Sequence, residues 1–243
     1  MSVPLELFDE DYLYFSDEVL GTERSDADAR VVADLLELRP GMRVLDVPCG
    51  EGRIGGRLAR LGCEVVGVDV TERFLALGRE KYPEVKFEHA DMRELDYEAE
   101  FDAVVNWYTS FGYFDPDTND AVLRRFARAL QPGGRLLIEL HNPSRLRRLL
   151  ELAGGSSAVV VERDGNLMAD RITYDPESRC SVTERFIVRN GVVRRLEFSL
   201  EQVPVPELER RLRAAGFTRF ELFGRGGGPY EPEGPRLIAV ATS

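Results

Sequence analysis

The chain has 243 residues, a formal net charge of −11 and 43% hydrophobic residues, which is enough for one α/β domain with a small insertion. An acidic surface disfavours nucleic acid as a partner, because phosphate binding needs clustered lysine and arginine side chains. No apolar run approaches the roughly 20 residues that span a bilayer, so we expect no membrane association. The 3 cysteines are scattered, which predicts neither a disulfide framework nor a metal site. The unpaired cysteines suggest a reducing compartment, and the opening residues show no signal-peptide pattern, so we expect a cytoplasmic protein.

Residues 1–39 are predicted to form a helical segment ahead of the first strand. Its first part mixes acidic and aromatic side chains, among them Tyr12 and Tyr14. Ser25 or Asp26 is suited to cap a helix, because a short polar side chain can accept a hydrogen bond from an amide of the first turn.

The first predicted strand ends in a carboxylate and leads into a glycine turn. Asp46 closes a short apolar run, and Gly50 and Gly52 follow before helical spacing resumes. Such a turn lets backbone amides approach a ligand at the edge of an α/β sheet. With Gly55, the glycines also match the Gly-x-Gly-x-x-Gly pattern of dinucleotide sites, so an NAD-dependent oxidoreductase is one interpretation. A carboxylate at the strand end repels a pyrophosphate and suits a cation, which favours a different cofactor.

Asp46-x-Pro48-x-Gly50-x-Gly52 resembles motif I of the class I S-adenosylmethionine-dependent methyltransferases, with Pro48 in the place of the first glycine. Because proline fixes φ and has no N–H, we expect a stiffer turn that offers one amide fewer to the ligand. The resemblance implies an α/β fold with a Rossmann-like seven-stranded sheet, whose last strand is antiparallel, and S-adenosylmethionine as cofactor. It implies four cofactor-binding residues in this motif: Asp46, Pro48, Gly50 and Gly52.

In many members of this family the segment before the sheet folds over the bound cofactor. The resemblance therefore implies Tyr14 and Arg24 as further cofactor-binding candidates. Packing of the aromatic side chains onto the sheet is the alternative interpretation of this segment.

Two more predicted strands end in carboxylates. An apolar run predicts a buried parallel strand that ends at Asp69, and a third strand ends at Asp91. The resemblance implies that Asp69, with Val70, binds the ribose of the cofactor, and that Asp91, with Met92, binds the adenine. For Asp69, capping of the following helix is the structural alternative.

The fourth predicted strand, residues 101–107, leads into an aromatic run. The resemblance implies Asn106 and Trp107 as cofactor-binding residues, and Tyr113 as a candidate catalytic residue near the reacting methyl group. DNA and protein-glutamine methyltransferases carry Asn/Asp-Pro-Pro-Tyr/Phe at this place, and this chain does not. The aromatic run resembles small-molecule methyltransferases instead, whose rings can hold a sulfonium by cation–π contacts.

Gln131-Pro132-Gly133-Gly134, ahead of a hydrophobic fifth strand, is a further mark of the family. His141 follows that strand on the ligand edge. A neutral imidazole there can accept a proton from an incoming amine or hydroxyl, because its pKa is near the working pH. His141 is therefore the candidate catalytic base, with helix capping or packing in the turn as the alternative.

Residues 151–203 change to alternating polarity, with a hairpin signal at Asn190-Gly191. The pattern predicts a small antiparallel β insert that resembles those of glycine and aminosugar N-methyltransferases. We expect it to act as a substrate cap or a dimer contact, so the protein is predicted to be a monomer or a homodimer formed through the insert. Four arginines of the insert either face an anionic substrate or lie on a solvated face: Arg185, Arg189, Arg194 and Arg195.

Residues 40–150 and 204–243 then form the S-adenosylmethionine-binding domain, with the glycine-rich stretch 224–234 as either a lid or a plain loop. The sequence predicts an enzyme that moves a methyl group from S-adenosylmethionine to a nitrogen or oxygen of a small molecule. The alternatives are an NAD-dependent oxidoreductase and a non-catalytic S-adenosylmethionine-binding scaffold protein.

Overall fold

The computed structural model describes residues 5–243, apart from the side chains of Asp17 and Glu18. Residues 1–4 of the predicted N-terminal segment lie outside the described residues. The helices are α1 (Glu10–Val19), α2 (Thr22–Leu35), α3 (Gly55–Arg60), α4 (Glu72–Lys81), α5 (Pro116–Ala129), α6 (Pro143–Leu152) and α7 (Val205–Ala214). The strands are β1 (Arg43–Asp46), β2 (Glu64–Asp69), β3 (Lys86–His89), β4 (Phe101–Asn106), β5 (Leu130–His141), β6 (Ser156–Arg163), β7 (Asn166–Asp175), β8 (Cys180–Arg189), β9 (Val192–Glu201), β10 (Arg219–Phe223) and β11 (Arg236–Thr242). None of the helices in residues 5–243 has both the length and the apolar character that crossing a bilayer demands.

The strands form two sheets. Strands β10, β11, β5, β4, β1, β2 and β3 build a seven-stranded sheet in that spatial order, and β6 to β9 build a separate four-stranded sheet. In the large sheet β1 lies parallel to β2 and β4, while β11 lies antiparallel to β5 and β10. The predicted fold class, with its antiparallel last strand and its β insert, is confirmed. The strand order reverses between β1 and β4, and α/β sheets bind ligands at the carboxyl ends of the strands at such a point.

Hydrophobic side chains of the large sheet alternate between two clusters, one on each face. Leu45 and Val66 pack with α5 and α7, while Val44 and Val65 pack with α2, α3 and α4. Because both faces are covered, the central strands are nearly continuous apolar runs. Asp46 and Asp69 are the last residues of β1 and β2, at the carboxyl ends of the parallel strands, which we call the sheet edge.

The start of α2 differs from the prediction. The helix begins at Thr22, and neither Ser25 nor Asp26 caps it. The hydroxyl of Ser25 donates to the carbonyl of Leu20 at 2.9 Å, and Asp26 pairs with Arg57 at 2.5 Å. Both side chains are thus taken up by tertiary contacts, which a local capping pattern cannot reveal.

The glycine-rich loop 224–234 is tied to the start of α6. The side chain of Asn142 caps this helix by accepting from the amide of Ser144 at 3.2 Å. Its amide group also donates to the carbonyls of Glu231 and Pro232, each at 3.1 Å. The loop is therefore anchored by Asn142, and it does not reach the cavity described below.

Candidate active site

The sheet edge, α1 and one face of the insert sheet line a cavity of about 1410 Å³. Pockets for a single drug-sized ligand measure about 300–1,000 Å³, so this space can hold two small molecules side by side. Most of the sequence-predicted site residues lie in its wall: Tyr14, Asp46, Pro48, Gly50, Asp69, Val70, Asp91, Met92, Trp107, Tyr113 and His141. The fold thus brings together residues that are far apart in the sequence.

Asp46 is buried at the end of β1, with 2% of its surface exposed. One of its carboxylate oxygens accepts a hydrogen bond from the amide of Gly55, at the start of α3, at 2.9 Å. Burial raises the pKa of Asp46 to about 7, because the charged form loses its water, and the nearby guanidinium of Arg53 opposes this shift. Asp46 is therefore poised to ionise when a cationic group binds beside it.

Asp69, at the end of β2, is held by two backbone amides. Its Oδ2 accepts from Gly50 and its Oδ1 from Thr71, each at 2.8 Å. Gly50 has a φ of 56°, which glycine adopts readily, and this conformation lets its amide reach the carboxylate. Burial raises the pKa of Asp69, while the two amides oppose the shift. A carboxylate has about four acceptor sites, so Asp69 can still accept from a hydroxyl of a ligand in the cavity that it lines.

Asp91, just after β3, is paired with Arg93, whose Nε and Nη2 lie 3.0 and 2.6 Å from its Oδ2. Burial raises the pKa of Asp91, but the hydrogen bonds from Arg93 outweigh this effect and hold the pKa below its usual value. The guanidinium of Arg93 in turn lies over the ring of Phe114, 4.7 Å from its centre. Asp91 is therefore an ionised acceptor in the cavity wall, beside Met92.

Arg53 is a residue that the sequence analysis did not single out. Its Nη1 donates to Asp28 at 3.1 Å, whereas its Nη2 is buried and has no hydrogen-bond partner among the described residues. Asp28 also accepts from Arg24 at 2.8 Å and from Trp107 at 3.3 Å. Because an unsatisfied buried donor is costly, Arg53 is suited to an anionic group of a ligand in the cavity that it lines. The only sequence signal is that Arg53 directly follows Gly52 in the turn.

Three residues predicted to bind the cofactor lie outside the cavity wall. Arg24 is taken up by its ion pair on α2. Asn106 is fully buried, and its amide donates to the carbonyl of Val47 at 2.9 Å. At Gly52 a Cβ atom would lie 2.6 Å from the ring of Phe87, so this glycine serves close packing. Their placement does not support contact with a ligand, because each is used to hold the turns that carry the lining residues.

His141 lies in the cavity wall at the end of β5, and its ring is exposed to that space. Nη1 of Arg236 lies 2.9 Å from Nδ1 and 3.3 Å from Nε2 of the ring, so it competes for whichever ring nitrogen is unprotonated. Burial among protein groups and the positive charge of Arg236 lower the pKa of His141 to about 4. Because the ring meets an open cavity, the guanidinium is the firmer of these two causes. His141 is therefore neutral near pH 7 and a weak proton acceptor.

Arg236 also forms a buried ion pair with Glu139, with Nη2 and Oε2 at 2.7 Å. Glu139 accepts a second hydrogen bond from the amide of Tyr108 at 2.9 Å. Tyr108 and Thr109 have φ values of 65° and 58°, which are uncommon for residues with a Cβ atom. The ion pair therefore holds a strained turn at the end of β4, where the wall of the cavity passes from the sheet to the aromatic run.

Helix α1 roofs the cavity and is attached to the insert. The hydroxyl of Tyr14 lies 2.9 Å from the carbonyl of Arg163 and 3.0 Å from Asp164, within hydrogen-bond distance of both. Asp11 pairs with Arg189 at 2.7 Å, across 178 residues of sequence. Tyr14 thus acts at the junction of α1 and the insert.

Tyr113 lies in the wall below α1, and its ring is 6.2 Å from that of Phe8 in an edge-on arrangement. Burial raises the pKa of Tyr113 to about 12, with Arg185 lowering it in part. The phenol is therefore protonated near pH 7 and can donate a hydrogen bond into the cavity.

The known proteins that this chain resembles include several methyltransferases. A family described as a methyltransferase domain matches residues 44–134. The ubiquinone/menaquinone biosynthesis C-methyltransferase UbiE of Serratia proteamaculans is 30% identical over 210 residues, which are 82% of this chain and 75% of that protein. A dTDP-3-amino-3,4,6-trideoxy-α-D-glucopyranose N,N-dimethyltransferase of Streptomyces venezuelae is 31% identical over 146 residues, 59% of this chain and 60% of that protein. Among solved structures, DesVI of Streptomyces venezuelae superposes with a TM-score of 0.69 at 27% identity, covering 96% of this chain and 98% of DesVI.

Proposed function

Because this chain belongs to the class I S-adenosylmethionine-dependent methyltransferase family, we propose that it methylates a nitrogen or oxygen of a small molecule held between the sheet edge and the insert. Membership in the family makes the protein a methyltransferase with S-adenosylmethionine as its cofactor. It removes the dinucleotide interpretation of the glycine turn and favours an enzyme over a scaffold protein.

The residues present at the sheet edge fit this cofactor. S-adenosylmethionine supplies a methyl group that is already activated on a sulfonium, so the chain has to bind, orient and exclude water. In our proposal Asp69 binds the ribose and Asp91 the adenine. The unpartnered Nη2 of Arg53 is the observation that supports a bound carboxylate, and it complements the amino-acid end of the cofactor. Asp46 lies close enough to Arg53 for their charges to interact, and in the proposal it serves the cationic groups of the same ligand.

The size of the cavity supports the proposal of a small acceptor. Its volume of about 1410 Å³ exceeds what one ligand fills, and the contacts of Tyr14 and Asp11 close α1 onto the insert. A second small molecule fits beside the cofactor in such a space. The insert is thus proposed as the substrate cap.

His141 and Tyr113 remain the proposed catalytic residues for the proton and the orientation of the acceptor. A nitrogen or oxygen that arrives protonated must lose a proton during transfer, and the neutral ring of His141 lies in the same cavity. Its low pKa limits this contribution. Tyr113 is proposed to orient the acceptor as a hydrogen-bond donor.

The test is a screen of metabolite pools with S-adenosylmethionine that carries an isotopically labelled methyl group, followed by mass spectrometry. We expect label in a small molecule, on nitrogen or oxygen. Label found only in protein or nucleic acid would refute the proposal. Cytoplasmic location and a homodimer through the insert stay predictions, and light scattering after gel filtration measures the second.

A further inference from the structure

The face of the insert sheet that lines the cavity, which we call the insert wall, is mostly uncharged. Strand alternation turns every second side chain of β6 to β9 toward the cavity. Its uncharged members include Val159, Val161, Met168, Ile172, Thr183 and Phe198. An acceptor that rests on this wall gains mainly from apolar contact.

The one pair of opposite charges at the centre of the insert wall is internally neutralised. Asp170 and Arg185 lie directly opposite each other on β7 and β8. Nε and Nη2 of Arg185 donate to the two oxygens of Asp170, each at 2.7 Å, and both side chains are largely buried. Of the other insert arginines, Arg189 pairs with Asp11, and Arg195 pairs with Glu184 on the outer face.

The remaining cations of the cavity are also matched. Each guanidinium or ammonium group that lines it, within the part of the chain that the structure describes, has a carboxylate within 4 Å: Arg53 with Asp28, Arg73 with Glu10, Lys81 with Glu51, Arg93 with Asp91, Arg163 with Asp164 and Arg185 with Asp170. The unpartnered Nη2 of Arg53 is assigned above to the cofactor. Among the described residues, no cation of the cavity wall is therefore without a carboxylate partner.

We infer, on the basis of the proposed function, that the methyl acceptor is an uncharged and largely apolar molecule, and that nucleoside-diphosphate-linked acceptors are excluded. A pyrophosphate against the insert wall would lose its water there, and the buried cation at the centre of that wall, Arg185, is already paired with Asp170. Taking Arg185 away from Asp170 instead leaves a buried carboxylate without its partner. One relative is named for a dTDP-linked sugar and another for quinone biosynthesis, so the named acceptors of the two differ in whether they carry a diphosphate. The charges of the insert wall fit an acceptor without a diphosphate better than one that carries it.

Calorimetric titration of deoxythymidine diphosphate into the full chain, saturated with S-adenosylhomocysteine, tests the inference. We expect a Kd above about 1 mM for the natural sequence. In Asp170→Asn, which frees the charge of Arg185, the diphosphate should bind at least about tenfold more tightly. Glu184→Gln is the matched control, because it frees arginines on the outer face of the same sheet and should give no such gain.

Micromolar binding of the diphosphate to the natural sequence would overturn the inference, and this arm does not depend on any variant folding. An equal gain in Asp170→Asn and Glu184→Gln would overturn it as well, since the effect would then be one of surface charge. In the labelled-methyl screen, a neutral phenol, quinol or aryl amine as acceptor supports the inference. A methylated dTDP-linked amino sugar would overturn it while upholding the small-molecule acceptor, and label only in macromolecules would overturn both.

Discussion

The two walls of the cavity hold their charged groups in different ways. At the sheet edge two of these groups keep unused capacity: Asp69 faces the cavity with its other hydrogen bonds coming from its own turn, and Nη2 of Arg53 has no partner among the described residues. On the insert wall Asp170 and Arg185 satisfy each other through two parallel hydrogen bonds. A group with unused capacity gains by binding an opposite charge, whereas a satisfied buried pair loses by being broken. The sheet edge therefore suits a charged cofactor, and the insert wall suits a neutral acceptor.

The largest effect is expected at His141, which lines the cavity that the cofactor and the acceptor are proposed to share. His141→Ala should lower turnover by about 100-fold, the lower limit for general-base catalysis, because the low pKa makes the ring a weak base. Since this pKa is about 4, the active neutral form is lost only as the pH falls through that value. Steady-state kinetics from pH 4 to 8, with S-adenosylhomocysteine affinity as the control, check both points. Unchanged turnover would discard His141 as the base.

Asp69→Ala should weaken S-adenosylhomocysteine binding by about 10- to 100-fold, because hydrogen bonds to a charged group contribute about 1.5–3 kcal/mol. Isothermal titration calorimetry measures the loss. Glu184→Gln, on the outer face of the insert, should leave this affinity unchanged. Because Asp69 also holds Gly50 and Thr71, the melting temperature of the variant must be compared. Undiminished affinity in a folded Asp69→Ala protein would speak against a cofactor at the sheet edge.

Arg53 and Arg24 offer a matched pair, since both donate to Asp28 and only Arg53 lines the cavity. Arg53→Ala should weaken S-adenosylhomocysteine binding by about tenfold or more, whereas Arg24→Ala should change it by less than about twofold. Isothermal titration calorimetry measures the S-adenosylhomocysteine affinity of both variants. Equal losses would mean that the effect passes through Asp28, and that Nη2 of Arg53 does not meet the ligand.

The sequence predicted the sheet edge far better than the contacts of the insert. Asp46 and Asp69 stand at the ends of apolar runs and Asp91 follows the next predicted strand, so their common edge follows from the order of strands in the sequence. The partner of Arg185 is set by the register of two strands, and the partner of Arg189 is Asp11, 178 residues away in the sequence. Such pairings leave no trace in a local pattern.

The role of Arg53 could not be predicted from the sequence for a related reason. Its unpartnered nitrogen is visible only once Asp28 has taken the other one. The strands of the insert could be predicted from alternation, but which side chains of a strand face the cavity depends on how the insert packs against α1 and the sheet edge.

Asp46 gives a pH dependence that distinguishes stability from binding. Its folded pKa of about 7 lies above the ordinary value of 3.8, so the folded chain holds more protons than the unfolded chain between these values, and stability falls as the pH rises through this window. Asp46→Asn should therefore be more stable than the natural sequence at pH 8, by roughly 1–3 kcal/mol. The same variant should bind S-adenosylhomocysteine a few-fold more weakly. Urea unfolding at pH 5 and pH 8 measures the first effect, and a variant that is less stable at pH 8 would contradict a buried charge.

The smallest effect is expected where the two regions are joined. The hydroxyl of Tyr14 links α1 to the hairpin between β6 and β7, and Tyr14→Phe removes that link while keeping the ring. The hydrogen bond to the carbonyl of Arg163 is a neutral one, and Asp164 is well exposed, so we take a contribution of about 0.5–1.5 kcal/mol. S-adenosylhomocysteine should then dissociate about 2- to 10-fold faster, with little change in the association rate. Stopped-flow displacement measures both rates. If Tyr14 instead contacts the cofactor, as the resemblance implied, the loss should depend on the ligand and should differ between S-adenosylhomocysteine and adenosine. An equal acceleration for both ligands identifies Tyr14 as part of the closure of the roof, because an opened roof releases either ligand alike.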